Sequence, residues 1–585
     1  MKKQEVIVAV SRGHNASTTL MVDGEIIFYL EEERLSRRKY DGCPLLGILE
    51  ASKYVDHIDH LIICHTHRTG PQTDWTGVDL YKGWAMKLFG LQPDQEEMEI
   101  HFVDTIHHEM HAACGFLNSG FEEAACVIAD GAGSFLQTPY ADGTSYEFET
   151  LFKATWDAEG PQFETVWKHM GTKEPIGIID VGTEGVEFHT QYPGITKAYE
   201  AVTEYCNFSA IDAGKMMGLS PYGRENENLP DFLNGNGWVT RELFLPNYPN
   251  GARIDVNSNP LILKDIMERN DHHEEWFQKV WTQTQKDMAY KMQKTSEEYM
   301  ANLINKAVGL TGTENVVICG GYGLNCVANY KFWERFPQVK LHCEPIAHDG
   351  GISIGAAKLM HARLNEQKKP YPVQTSIYYG LQYDPATYEP ALEGLEVSET
   401  TPDDVAKLIR EGNIVTIFQG RSEGGPRALG NRSILFDPTI KDGKDIVNSV
   451  KRREYFRPFA CSIKEENVHE WFDLQGRERS PHMMYAVKCQ PGVAKKIPSV
   501  IHVDDTCRIQ TLTRDDNPHY YDLIDAFEKL SGCPILFNTS FNLGGAPLVE
   551  RIEDAVKTLK ESKIEYMYLP ELNKLVKSPN PEEEE

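Results

Sequence analysis

One plan, written twice, constrains this chain more than any other feature. Between Glu5 and Leu35 the apolar runs VIVAVS, TTLMV and EIIFYLEEER are separated by the turn GHNAS and by Asp23-Gly24. Such runs, punctuated by short turns, predict three antiparallel strands. Between Ala124 and Trp156 the plan returns as ACVIAD, GAG, SFLQTPY, the Asp142-Gly143 turn and YEFETLFKATW. The duplication predicts two related half-domains. A third glycine-rich turn, Gly320-Gly321-Tyr322-Gly323-Leu324-Asn325, follows the run VVIC and precedes helical sequence. Backbone amides exposed in that arrangement can cradle an anion.

Two halves that each begin on a three-stranded unit and close over a nucleotide are the plan of the actin, sugar-kinase and Hsp70 type of fold, which the chain resembles in these segments. Gln283 to Leu310 carries Met288, Met292, Tyr299 and Leu303 at helical spacing until Gly309 and Gly312, which predicts a core helix. The stretch EQKKPYPVQ, from Glu366 to Gln374, is charged, contains prolines and lacks periodicity, so the main domain boundary is expected near residue 370. With 585 residues, the chain exceeds what one core comfortably supports. The expected division is residues 1–370 and residues 371–585, both of mixed α/β class.

Lys and Arg number 59 against 87 Asp and Glu, a formal net charge of −28 that on average repels long polyanions but tolerates local cationic grooves. The 12 cysteines include no C-x-x-C pair and are read as reduced, mostly buried thiols. No apolar run is long enough for a signal-peptide core or a membrane span, so a soluble cytoplasmic protein without a membrane partner is expected.

Four residues suggest a metal centre. His107 and His111 in IHHEMHAACGF stand one helical turn apart on a single face, a spacing that can chelate but that also occurs in ordinary surface helices. Asp130 in IADGAG and Asp349 in HDGGISIGAA sit where strands meet glycine turns and would face the same cleft. Two nitrogens and two carboxylates suit iron, manganese or zinc better than calcium. Two other histidine pairs, His65 with His67 and His272 with His273, read as structural. His14, in the first glycine turn, is the general-base candidate. Beyond residue 370 a cationic series runs through Arg421, Arg427, Lys451, Arg453, Arg457 and Arg508, set among Gly, Pro, Phe and Ala. Guanidinium groups so placed are a natural grip for phosphate.

The segments GHNAS, EEERLSRRK, HHEMHAA, DGAGS, GKMMGLSPYG, GGYGLNCVAN, HDGGISIGAA, GPRALGNRS, REYFRPFA and PILFNTSFN occur here in one order along nearly the whole chain. In these the sequence resembles the O-carbamoyltransferases that modify antibiotics and nodulation factors. Their N-terminal half is Kae1-like and their C-terminal half YrdC-like. The resemblance implies that carbamoyl phosphate releases phosphate in the YrdC-like domain, and that the resulting carbamate attacks the α-phosphate of ATP. Carbamoyladenylate and pyrophosphate follow, and the Kae1-like domain passes the carbamoyl group to a hydroxyl.

It further implies that His107, His111, Asp130 and Asp349 hold Fe2+, that His14 activates the acceptor, and that Lys215, Gly320, Gly321 and Asn325 bind the adenylate. Lys39, named with His14 as catalytic, and Arg427, Lys451, Arg457, Arg508 and Asn538 would serve the carbamoyl phosphate and ATP path, with Mg2+ accompanying ATP. Tyr40 after Lys39, and SEGG after Arg421, depart from the family's usual residues. The expected partner is a hydroxylated small molecule, sugar or nucleoside. A 5-hydroxymethylpyrimidine such as 5-hydroxymethylcytosine in phage DNA stays open as acceptor, and a homodimer as assembly. Two rival readings are an enzyme of tRNA threonylcarbamoyladenosine synthesis and a nucleotide-binding scaffold without chemistry. The fused order and the intact ligand and arginine sets oppose them.

Overall fold

The computed structural model describes residues 4–66, 80–91, 98–137, 144–173, 177–180, 186–247, 251–269 and 280–579. The chain divides into two compact units, the first ending at Gln374 and the second running from Thr375 onward and including Arg37–Lys39.

In the first unit, β1 (Val6–Ser11), β2 (Ser17–Val22), β3 (Glu25–Glu31), β4 (His60–Cys64) and β5 (Glu99–Phe102) form a sheet ordered β3-β2-β1-β4-β5. β1 pairs antiparallel with β2 and parallel with β4. Every residue of β1 is buried, as a central strand covered on both faces requires, which explains its unbroken apolar run. The run EIIFYLEEER ends as a strand at Glu31, and Glu32–Ser36 forms a short helix. There the Glu32 carboxylate accepts from the amides of Leu46 and Gly47.

The second sheet repeats this order with β6 (Glu123–Ala129), β7 (Phe135–Gln137), β8 (Thr144–Asp157), β9 (Gly160–Gly171), β10 (Gly177–Asp180) and β11 (Val186–Thr190). A small hairpin, β12 (Phe244–Asn247) with β13 (Gly251–Ile254), stands apart, and β14 (Asn315–Cys319) and β15 (Lys340–Cys343) complete the sheet. Its core order β9-β8-β6-β14-β15 has two antiparallel and then two parallel pairings, the pattern of the first sheet. This duplicated α/β plan is the two-lobed architecture expected above.

One detail differs. The run SFLQTPY is not the middle strand of the repeat; β8 pairs directly with β6, and the third strand is β9. β8 is 14 residues long, enough to hold β6 along Glu149–Thr155 and the short β7 along Thr144–Tyr146. The Asp142-Gly143 turn lies outside the described residues.

The helix His107–Ser119 follows β5, ends on Gly120 at φ 74° and buries every residue except Glu109. The long helix Gln283–Thr311 starts on a Thr282/Gln285 capping box, ends on Gly312 at φ 74°, and buries Met288, Met292, Tyr299 and Leu303.

The second unit is built on ten strands: β16 (Glu396–Glu399), β17 (Val415–Phe418), β18 (Arg432–Phe436), β19 (Ala460–Lys464), β20 (Phe472–Asp473), β21 (Ala486–Cys489), β22 (Thr506–Leu512), β23 (Ile535–Ser540), β24 (Tyr566–Leu569) and β25 (Lys574–Lys577). They are ordered β16-β25-β24-β17-β18-β23-β19-β22-β21-β20. All 12 cysteines are free thiols. Among the described residues no helix is long and apolar enough to cross a membrane.

Candidate metal and anion sites

His107 and His111 are not surface residues. Their side chains are 1% and 0% exposed, because the helix that carries them runs through the interior of the first unit. Asp130 stands just after β6, and its Oδ1 accepts from the Gly321 amide at 2.8 Å. Asp349 opens the turn after β15, where the Gly350 carbonyl accepts from Ser17 Oγ at 2.7 Å, so the start of β2 braces that turn. The glycine turns of both halves thus deliver carboxylates to one pair of imidazoles.

His107 Nε2 and His111 Nε2 lie 3.2 Å apart. Asp130 Oδ2 is 3.6 and 3.9 Å from them, and Asp349 Oδ1 is 3.6 and 3.5 Å away. Bonds of about 2.1 Å to one ion put neighbouring ligand atoms roughly 3.0 to 3.4 Å apart, so small inward shifts seat a transition metal. Charge agrees with geometry. Burial disfavours the protonated imidazole of His107, yet the flanking Asp130 and Asp349 outweigh it and push the group up to about 9. His111 is likewise raised against burial, and both carboxylates are lowered against burial. Two carboxylates therefore demand two positive charges, which protons on the imidazoles or one divalent ion can supply.

The surroundings support these four. The backbone amide of His107 donates to Ser134 Oγ at 2.9 Å, and Thr196 Oγ1 donates to the Asp130 carbonyl at 2.5 Å. Cys319 Sγ lies 3.8 Å from His111 Nδ1. Burial pushes that thiol up, but Cys114 and His111 outweigh it and bring it down to about 6. His108, between the two ligands in sequence, turns to Thr150 Oγ1 at 2.7 Å, and burial lowers it to about 4. His14, in the β1–β2 turn, is 49% exposed and places Nδ1 3.7 Å from Asp349 Oδ2. His65 stands beside that same turn, its Nε2 3.9 Å from where a Cβ on Gly13 would be, whereas His67, His272 and His273 lie outside the described residues.

Gly320 has φ 84°, and a Cβ there would stand 2.4 Å from the Ala129 carbonyl oxygen. Only glycine lets this turn approach the end of β6 and set the Gly321 amide on Asp130. Asn325 serves the turn from within: its Oδ1 accepts from Ala328 N, and its amide exchanges two 3.1 Å bonds with Gln293. Lys215 pairs with Asp212 at 3.0 Å, and Tyr40 Oη donates to the same carboxylate at 3.0 Å.

In the second unit the cations converge unevenly. Burial, then the charges of Arg453 and Arg457, hold Lys451 far below the ordinary lysine range; burial, then Arg457 and Arg508, do the same to Arg453. Lys451 Nζ donates to the Ser540 carbonyl, and Ser540 Oγ and Asn542 Oδ1 lie 3.3 Å from it. Arg457 meets Glu454 at 3.5 Å. Register puts Asn538, Ala460 and Arg508 in one row across β23, β19 and β22, on one face, with only a methyl group between the two polar residues. Asn538 Nδ2 donates to Ser462 Oγ at 2.9 Å and to the Ala428 carbonyl at 3.3 Å, next to half-buried Arg427. The buried Nε of Arg508 and Oδ1 of Asn538 have no hydrogen-bond partner among the described residues. Arg421 leaves the series, because it clips the carbonyls of Gly380 and Tyr379 at 2.7 and 3.0 Å. Lys39 is exposed and groups with the second unit.

Residues 80–358 match the family described as carbamoyltransferase N-terminus, and residues 406–574 match carbamoyltransferase C-terminus. The chain belongs to the carbamoyltransferase family. This carbamoyltransferase is 30% identical over 580 residues to nodulation protein NolNO of Sinorhizobium fredii, spanning 93% of this chain and 76% of that protein. It is 31% identical over 469 residues to nodulation protein NolO of Bradyrhizobium diazoefficiens, 77% of this chain and 75% of that one. A solved structure of full-length HypF in a phosphate- and nucleotide-bound form aligns at TM-score 0.36 and 13% identity, over 63% of this chain and 57% of that chain.

Several contributors to the two sites of this carbamoyltransferase were not singled out from sequence. Ser134, Thr196 and Cys319 reach the candidate metal ligands, and Ser462 and Gln510 surround Asn538. Ser134 carried a signal, since it ends the DGAGS turn. Gln510 follows Arg508 by two residues, so strand periodicity places both on one face.

Proposed function

We propose that this carbamoyltransferase uses ATP and carbamoyl phosphate to place a carbamoyl group on a hydroxyl of a small molecule, sugar or nucleoside, in the cytoplasm. The observation that carries the reading is the buried cluster of His107, His111, Asp130 and Asp349 with His14 at its solvent side. In the proposed scheme Arg427, Lys451, Arg457 and Arg508 grip carbamoyl phosphate in the YrdC-like unit. Water splits carbamoyl phosphate into carbamate and phosphate, a carbamate oxygen attacks the α-phosphorus of ATP, and pyrophosphate leaves. In the Kae1-like unit the turn Gly320–Asn325 holds the adenylate. His14 takes the proton of the acceptor hydroxyl, whose oxygen attacks the carbamoyl carbon as AMP departs. Asp349 Oδ2 lies 3.7 Å from His14 Nδ1, beside the imidazole that takes the proton. A divalent ion on the four ligands, Fe2+ in this reading, supplies Lewis-acid charge.

The test is incubation of the protein with ATP, Mg2+, carbamoyl phosphate, Fe2+ and a panel of hydroxylated acceptors, including 5-hydroxymethylcytosine free and in DNA. Mass spectrometry should find an acceptor heavier by one carbamoyl group, with AMP and pyrophosphate formed in step. Failure to form pyrophosphate with carbamoyl phosphate present would overturn the proposal.

A further inference from the structure

The first sheet assembles a second set of metal-binding side chains outside the four-ligand cluster. β4 and β5 run parallel with His60 opposite Glu99 and Ile62 opposite His101. Residues two apart on a strand share a face, and so do residues opposite each other in register. His60, Glu99 and His101 therefore project from one face at the edge of the sheet. Their atoms converge: His60 Nδ1 lies 3.2 Å from His101 Nε2, and Glu99 Oε2 lies 3.4 Å from the former and 3.7 Å from the latter. An ion bonded at about 2.1 Å in tetrahedral geometry sets its ligand atoms roughly 3.4 Å apart. The three separations straddle that value.

Exposure is graded as a surface site needs. The His60 side chain is 12% exposed and that of His101 29%, so the sheet holds both rings, while Glu99 at 68% reaches in from solvent. We propose that His60, Glu99 and His101 form a second site for a divalent transition ion of the zinc type, with water completing the coordination. Two imidazoles and one carboxylate select such ions over calcium or magnesium. The site would staple edge strand β5 to β4, five residues before His107 begins its helix.

The experiment is titration of the metal-free full-length protein with Zn2+, with Co2+ as the optical probe, in four forms: wild type, His111→Ala, His101→Ala and the double variant. Two equivalents are expected in wild type, one in each single variant and none in the double. Zn2+ should also raise the melting temperature of His111→Ala but not of the double variant. If His111→Ala binds nothing, or the double variant still binds one equivalent at unchanged affinity, the second site is wrong. A single equivalent lost only on His101→Ala would uphold it while removing the four-ligand centre, so the two readings fail separately. Should His101→Ala not fold, Glu99→Gln at the exposed ligand replaces it. A weaker second equivalent is then expected, and unchanged affinity overturns the proposal.

Discussion

At the scale of single residues, His14 and Arg508 allow the sharpest tests because each is assigned to one half of the reaction. A general base contributes roughly 10² to 10⁴ in rate. His14→Ala should lower carbamoyl transfer by about that factor while pyrophosphate release continues, and parallel assays of the two products check it; equal loss of both would remove His14 from its role. Arg508 presents a buried Nε without a partner among the described residues, and a charge-assisted hydrogen bond is worth about 1.5–3 kcal/mol. Arg508→Ala should therefore raise the KM for carbamoyl phosphate roughly 10- to 100-fold, measured by pyrophosphate release, with the KM for the acceptor unchanged. Residue types made both candidates visible in sequence. What sequence concealed was how side chains are held in place: Arg421 bonds to backbone carbonyls, and Asn325 caps a helix and bonds to Gln293.

At the scale of elements, the glycine turns set the geometry of the cluster. Gly320→Ala would drive a methyl group into the Ala129 carbonyl and force alanine into positive φ, a strain of about 1–3 kcal/mol. Relief must come from withdrawal of the turn, which takes the Gly321 amide off Asp130. The expected outcome is a lower melting temperature together with weaker metal binding. Gly235→Ala, at a position where a Cβ meets nothing within 4 Å, should change neither. Elemental analysis of the two variants separates local from global damage. The strand-and-turn repeat was readable because alternation and Asp-Gly turns are local properties. Its second copy was misassigned at β7, since pairing partners are long-range: β8 pairs β6 over seven register positions and leaves β7 three at its start.

At the scale of the whole molecule, the proposed division of chemistry between the two units predicts separable activities. Exhaustive chelation followed by restoration of Mg2+ should leave carbamoyl phosphate-dependent pyrophosphate formation intact and abolish carbamoyl transfer. Added Fe2+ should restore transfer. Loss of both activities on chelation, with the protein still folded, would contradict the division of labour. A chain with net charge −28 nonetheless gathers Lys451, Arg453, Arg457 and Arg508 in one unit, where burial and then mutual repulsion depress two of them. An anionic ligand relieves that repulsion, and so phosphate compounds should raise the melting temperature of the wild-type protein more than that of Arg508→Ala.

Local chemistry in the chain was sufficient for the α/β class, the duplicated half-domains, the core helix and the four side chains of the candidate metal cluster, because periodicity, glycine turns and donor types are all written in neighbouring residues. Tertiary structure alone decided that His107 and His111 are buried rather than solvated, that Cys319 stands behind His111, and that β4 and β5 bring His60 to Glu99 and His101. Each of those facts depends on which strand lies beside which, a choice made by burial of apolar surface across the whole unit and not by any short segment.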